Sequence, residues 1–168
     1  MRLKESVVIS APPKLVWEYL AEPSNYLHFM SGVTRWEVIG EQRSGIGTRY
    51  RMLMRVGSAE VGGLIEVVEW NPERDMAWSS VTGVDQRGRW RLRETDDGRT
   101  RVEFRFAYGV AGAGLSGIIA ERVAAPTISS HVRRSLHQLK RQVEHERLRA
   151  EAARRKRERE SGLATKSR

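Results

Sequence analysis

The chain has 168 residues, 39% of them hydrophobic and five of them tryptophan, so it has the length of one domain and enough apolar material for a core. It contains no cysteine, which removes disulfides, thiolate nucleophiles and cysteine-based zinc sites. The formal charge is +9, and Glu146–Arg168, with nine Lys/Arg against four Glu, holds more than half of that excess.

In chain order, Met1–Ser6 is charged and runs straight into Val7, Val8 and Ile9. That is too short for a signal segment and too charged for a membrane span, and it predicts a soluble, cytoplasmic protein. Leu3–Ser10 reads as a strand that Ala11-Pro12-Pro13 hands over to a helix, with Val16, Trp17 and Leu20 on one face and Pro23 as its stop. Ser24–Met30 reads as a second short helix carrying Tyr26, Phe29 and Met30.

From Val33 to Gly109 the hydrophobic period becomes two. Turn signals at Ser44–Gly47, Asn71–Arg74, Asp85–Gly88 and Asp96–Gly98 predict seven strands, counting the first. Tyr50, Met52, Met54, Trp90, Leu92, Val102, Phe104, Phe106 and Tyr108 fall on one side of their strands. Arg49, Arg51, Arg55, Arg89, Arg91, Arg93, Arg101 and Arg105 fall on the other, so one face is apolar and aromatic and the other wet.

Such a sheet needs a cover, and the candidate is the long helix after Gly112 and Gly114. Leu115, Ile118, Ile119 and Val123 begin its stripe, and Ile128, Val132, Leu136, Leu139 and Val143 continue it, with Pro126 expected to kink or interrupt it. Beyond Val143 the residues are charged, with expected pairs Glu151–Arg155 and Arg154–Glu158. The organisation predicted is one domain over 1–145 and a basic helical extension with a frayed tail over 146–168.

Four stretches carry a resemblance: Ala21-Glu22-Pro23-Ser24-Asn25-Tyr26, Val67–Pro72 leading into Met76-Ala77-Trp78, Gly88-Arg89-Trp90-Arg91-Leu92, and Leu136–Val143. In their order and distances the chain resembles the START/Bet v 1-like (SRPBCC) superfamily, in its polyketide cyclase/dehydrase-like branch, over about residues 3–145. The resemblance implies an α+β helix-grip fold: a seven-stranded curved antiparallel sheet around a long kinked C-terminal helix, with two short helices after the first strand. It also implies a cavity between sheet and helix, entered near Tyr26–Gly32 and the Gly109–Gly117 loop.

The expected lining of that cavity is Trp17, Tyr26, Tyr50, Met52, Trp78, Trp90, Phe104, Phe106, Tyr108, Ile119 and Val123, suited to a flat or greasy ligand. The same residues could instead simply fill a core. For catalysis the polar candidates are Tyr50, Tyr108, Arg122 and His131, which form no recognisable constellation. His28, His131, His137 and His145 lack metal-ligand spacing and the glycines lack a dinucleotide fingerprint, so neither metal nor cofactor is expected. Three functions stay open: binding of a hydrophobic small molecule, lipid or polyketide-like; catalysis as a polyketide aromatase/cyclase; or a basic surface module. In the last, the tail would meet an anionic membrane, and the lack of aromatics between the outer arginines argues against nucleic acid.

Overall fold

The computed structural model describes the backbone of residues 1–109 and 114–166 and the side chains of residues 1–109 and 125–161. The chain opens with strand β1 (Arg2–Ile9), after which Pro13 starts helix α1 (Pro13–Ala21) in its first turn, where a missing N–H costs no intrahelical bond. Val16, Trp17 and Leu20 are buried as predicted. A 3₁₀ turn (Pro23–Asn25) follows, capped by the Glu22 carboxylate, which accepts from the Ser24 N–H at 3.0 Å, and then the single-turn helix α2 (Tyr26–Phe29).

Six strands come next: β2 (Val33–Ile39), β3 (Arg49–Val56), β4 (Ala59–Asn71), β5 (Asp75–Ser80), β6 (Asp85–Glu94) and β7 (Thr100–Gly109). The last element is helix α3 (Gly114–Lys166). The seven strands form one antiparallel sheet in the order β1-β7-β6-β5-β4-β3-β2, so β1 crosses to pair with β7 and the other six form a meander. The helix-grip architecture expected from the resemblance is the one observed.

One predicted turn is misplaced. Asp85–Gly88 is the beginning of β6, and the chain reverses at Val81–Val84 instead. Gly88 serves a packing need rather than a turn: a Cβ there would stand 2.0 Å from Cζ2 of the Trp78 ring, on the neighbouring strand. Only a residue without a side chain lets that indole lie against the sheet.

Helix α3 covers the apolar face. Ile128, Val132, Leu136, Leu139 and Val143 are all 5% exposed or less, each burial contributing about 1.5–3 kcal/mol. Two polar contacts fix its position along β1: Lys140 Nζ donates to the Val8 carbonyl at 2.8 Å, and the Glu144 carboxylate accepts from the Ser10 N–H at 2.7 Å. The helix continues through Pro126, at the loss of one backbone bond. Further on, Arg154 pairs with Glu158 at 3.4 Å as predicted, whereas Glu151 pairs back to Arg147 at 3.5 Å and not forward to Arg155. No described helix is long and apolar enough to cross a membrane.

Candidate functional site

On the concave side of the sheet, alternation points Met52 and Met54 of β3, Gln86 of β6, and Phe106 and Tyr108 of β7 towards α3. They do not close completely against it. Together with Val61, Gly62, Val84 and Ile128 of α3 they enclose a gap of about 40 Å³. The gap is almost wholly apolar, and two of its walls are methionines, which change shape at little cost.

Gln86 is the exception. It is 3% exposed, yet its side-chain amide donates only to the Met52 sulfur, at 3.7 Å, and among the described residues no donor reaches its Oε1. A thioether is a weak acceptor, so the amide of this gap-lining residue is only weakly satisfied within the protein. The sequence reading missed Gln86 because it placed the residue in a turn. The signal available is the alternation Gln86, Gly88, Trp90, Leu92, which begins two steps before Trp90.

Of the predicted lining residues, Met52, Phe106 and Tyr108 border the gap. Trp78, Trp90 and Phe104 instead belong to an aromatic ladder that fills the middle of the sheet. Trp90 stacks on Phe104 at 4.0 Å, and Trp78 and Phe106 flank Phe104 at 5.8 and 6.0 Å. Tyr26 stacks on Trp36 at 4.0 Å and Trp36 lies 5.3 Å from Tyr50, so these three rings also pack among themselves. Trp36 was not among the predicted residues. Trp17 sits at the α1 end, edge-on to Trp70 at 5.1 Å. The side chains of Ile119, Arg122 and Val123, and residues 110–113 of the predicted Gly109–Gly117 entrance, lie outside the described residues, while 114–117 open α3.

The polar candidates divide by position. Burial, reinforced by the Glu22 charge, raises the Tyr50 hydroxyl to about 12, and burial pushes the Tyr26 hydroxyl further up, so both stay protonated. They can donate a hydrogen bond but cannot act as bases near neutral pH. The Tyr108 hydroxyl donates to the Met1 sulfur at 3.3 Å. His131 does not border the gap. Its Nδ1 lies 3.0 Å from Ser31 Oγ, and its ring lies so close under Gly32 (φ +81°) that a Cβ there would be 2.7 Å away. Burial, and then the Arg134 charge, lowers its pKa. With the Ser31 N–H donating to Ser135 Oγ at 2.9 Å, His131 ties the α2–β2 connection to α3.

On the outer face the arginines are laced to carboxylates: Arg49 to Glu66 at 2.7 Å, Arg91 and Arg93 to Asp75 at 3.0 and 3.2 Å, and Arg105 to Glu103 at 2.6 Å. Glu103 also pairs across strands, with Lys4 of β1 at 2.8 Å. Among the described residues no group of three or more His, Asp or Glu is placed to hold a metal ion.

A curved antiparallel sheet gripped by one long helix, with an apolar gap under the helix, defines a helix-grip protein. The chain belongs to the family described as polyketide cyclase/dehydrase and lipid transport, whose model matches residues 1–144. Solved structures share this fold at low identity. TTHA0849 from Thermus thermophilus is 21% identical with a TM-score of 0.72, over 85% of this chain and 97% of that one. The Zhui aromatase/cyclase from a Streptomyces species is 21% identical with a TM-score of 0.73, over 86% and 93%. The di-domain aromatase/cyclase StfQ of the steffimycin biosynthetic pathway is 16% identical with a TM-score of 0.66, over 88% of this chain and 51% of that one. No curated protein matches the chain in sequence.

Proposed function

We propose that this protein binds an apolar small molecule between the concave face of the sheet and α3, and that Gln86 sets its orientation. The observation that carries this reading is the under-satisfied amide of Gln86, buried at an apolar gap with adaptable methionine walls. A core optimised for stability alone would place an aliphatic residue there, since an amide with only a thioether for company costs about 1–3 kcal/mol. A ligand carrying a hydroxyl could donate to Oε1, one carrying a carbonyl could accept from the second Nε2–H, and either would gain affinity from buried area at about 25 cal/mol per Å². The gap itself has room for one small group, so uptake of a larger body requires Met52, Met54 and Ile128 to give way.

Zhui and StfQ are aromatase/cyclases, which supports a polyketide-like ligand. For a cyclase reaction the polar group at the gap would be Gln86, as a hydrogen-bond donor. The test is organic extraction of protein purified without detergent, followed by mass spectrometry. A bound apolar compound with an oxygen function is expected. An empty protein that also takes up no Prodan, a naphthalene ketone, would refute the reading.

A further inference from the structure

A depression far larger than the inner gap lies on the opposite, outer face of the sheet. It encloses about 800 Å³ and crosses β5, β6, β7 and β1. Strand register explains its shape. Arg2 pairs with Ala107, Ala107 with Arg87, and Arg87 with Ser79; two residues along, Lys4 pairs with Arg105, Arg105 with Arg89, and Arg89 with Ala77. Residues two apart on a strand share a face, so these two rows stand up on either side of the backbone of Leu3, Phe106, Gly88 and Trp78. Ala77, Ser79 and Ala107 keep the middle low while the long cationic side chains raise the rim. Four strands at their usual spacing give the groove a length of about 14 Å. A second depression of about 310 Å³ continues it, sharing Arg2, Arg87 and Ala107.

The charge is unbalanced. Glu69 pairs with Arg89, and Glu103 with both Lys4 and Arg105, so two carboxylates answer five cations along the main groove, with Asp85 lining its continuation. Arg2 and Arg87 form no ion pair among the described residues. Lys4, Arg105 and Arg89 stand directly opposite one another across three strands, an arrangement of like charges that weakens a sheet. Strand stability therefore does not account for this row. At the β4 end, Val68 is 52% exposed beside Ala77, which adds an apolar patch to the groove.

We infer that this outer groove is a second binding site, for a small organic anion: a phosphate, sulfonate or carboxylate group on a compact apolar body. The anionic group lies between Arg2 and Arg87, which the register sets on the two strands flanking Ala107, and the body lies over Ala77 and Ser79 towards Val68. Concavity suits a discrete molecule rather than a flat bilayer. The groove's two aromatic residues, Trp78 and Phe106, are buried in the core, so no ring is available to stack on bases. This site is independent of the inner gap.

The test is calorimetric titration with 1-naphthyl phosphate. One saturable site is expected, weakening as salt is added. Charge reversal by Arg2→Glu with Arg87→Glu should weaken it at least about tenfold, because both charge-assisted contacts are lost. The pair Arg154→Glu with Arg155→Glu, which makes the same change in net charge on the extension of α3, should leave affinity within about twofold, and so should Gln86→Leu. All three variants are checked for native circular dichroism. Absence of saturable binding, or equal loss from both charge-reversed pairs, would overturn the inference. So would a single-stranded oligonucleotide or phosphatidylserine vesicles binding through Arg2 and Arg87 while naphthyl phosphate does not.

Discussion

Replacing Gln86 with leucine should raise stability and lower ligand affinity in the same molecule. Gln86 is 3% exposed, its donor reaches a sulfur at 3.7 Å, and its acceptor has no partner among the described residues. Such an amide costs about 1–3 kcal/mol, and leucine fills similar space without that demand. Allowing for imperfect repacking against Met52, the net gain is about 1 kcal/mol. In urea unfolding followed by tryptophan fluorescence, with a slope of about 1–3 kcal/mol per molar, the midpoint should rise by about 0.3–1 M at unchanged slope. The same variant should bind Prodan about tenfold more weakly, the loss of one hydrogen bond worth about 1.4 kcal/mol. A lowered midpoint would refute the reasoning, because it would mean that the amide is satisfied and structural.

Two further expectations follow from packing and charge. Gly88→Ala should destabilise the protein by about 1–3 kcal/mol in the same unfolding assay, because Trp78 must move off the new methyl. In a Trp78→Phe background it should cost less than about 1 kcal/mol, since the ring atoms it strikes are gone. His131 has its pKa lowered below 6.5 by burial, so the unfolded chain takes up the proton first as pH falls. Its contribution to stability is therefore full above 6.5 and declines as the pH falls from there towards the folded value. Unfolding curves at stepped pH should show this decline in the native protein and a flatter profile in His131→Gln.

Much of the fold is legible because alternation and turn chemistry act locally. The aromatic set of β7 and the α3 stripe from Ile128 to Val143 are placed by their periods alone, and all of them are buried. The site is less legible because it depends on which strands become neighbours. Trp17 has the right helical face for the concave side, but α1 delivers it to Trp70 at the far end. Glycine at 88 reads as a turn residue until Trp78 is seen lying on it, and that misreading removed Gln86 from consideration. His131 looks like a helix-surface histidine until Ser31, a hundred residues earlier, is found 3.0 Å from it. The two rows of the outer groove exist only through the pairing of β7 with both β1 and β6, which no single strand encodes.

If the space under α3 admits an apolar molecule past Ile128, blocking that space must abolish binding. Titration of cis-parinaric acid, whose fluorescence rises on entering an apolar site, tests it most directly when native protein is compared with Ile128→Trp, which would fill the gap bordered by Met52, Phe106 and Ile128. Saturable one-to-one uptake by the native protein and its loss in the folded variant are expected. Uptake of equal strength in both, or in neither, would contradict this.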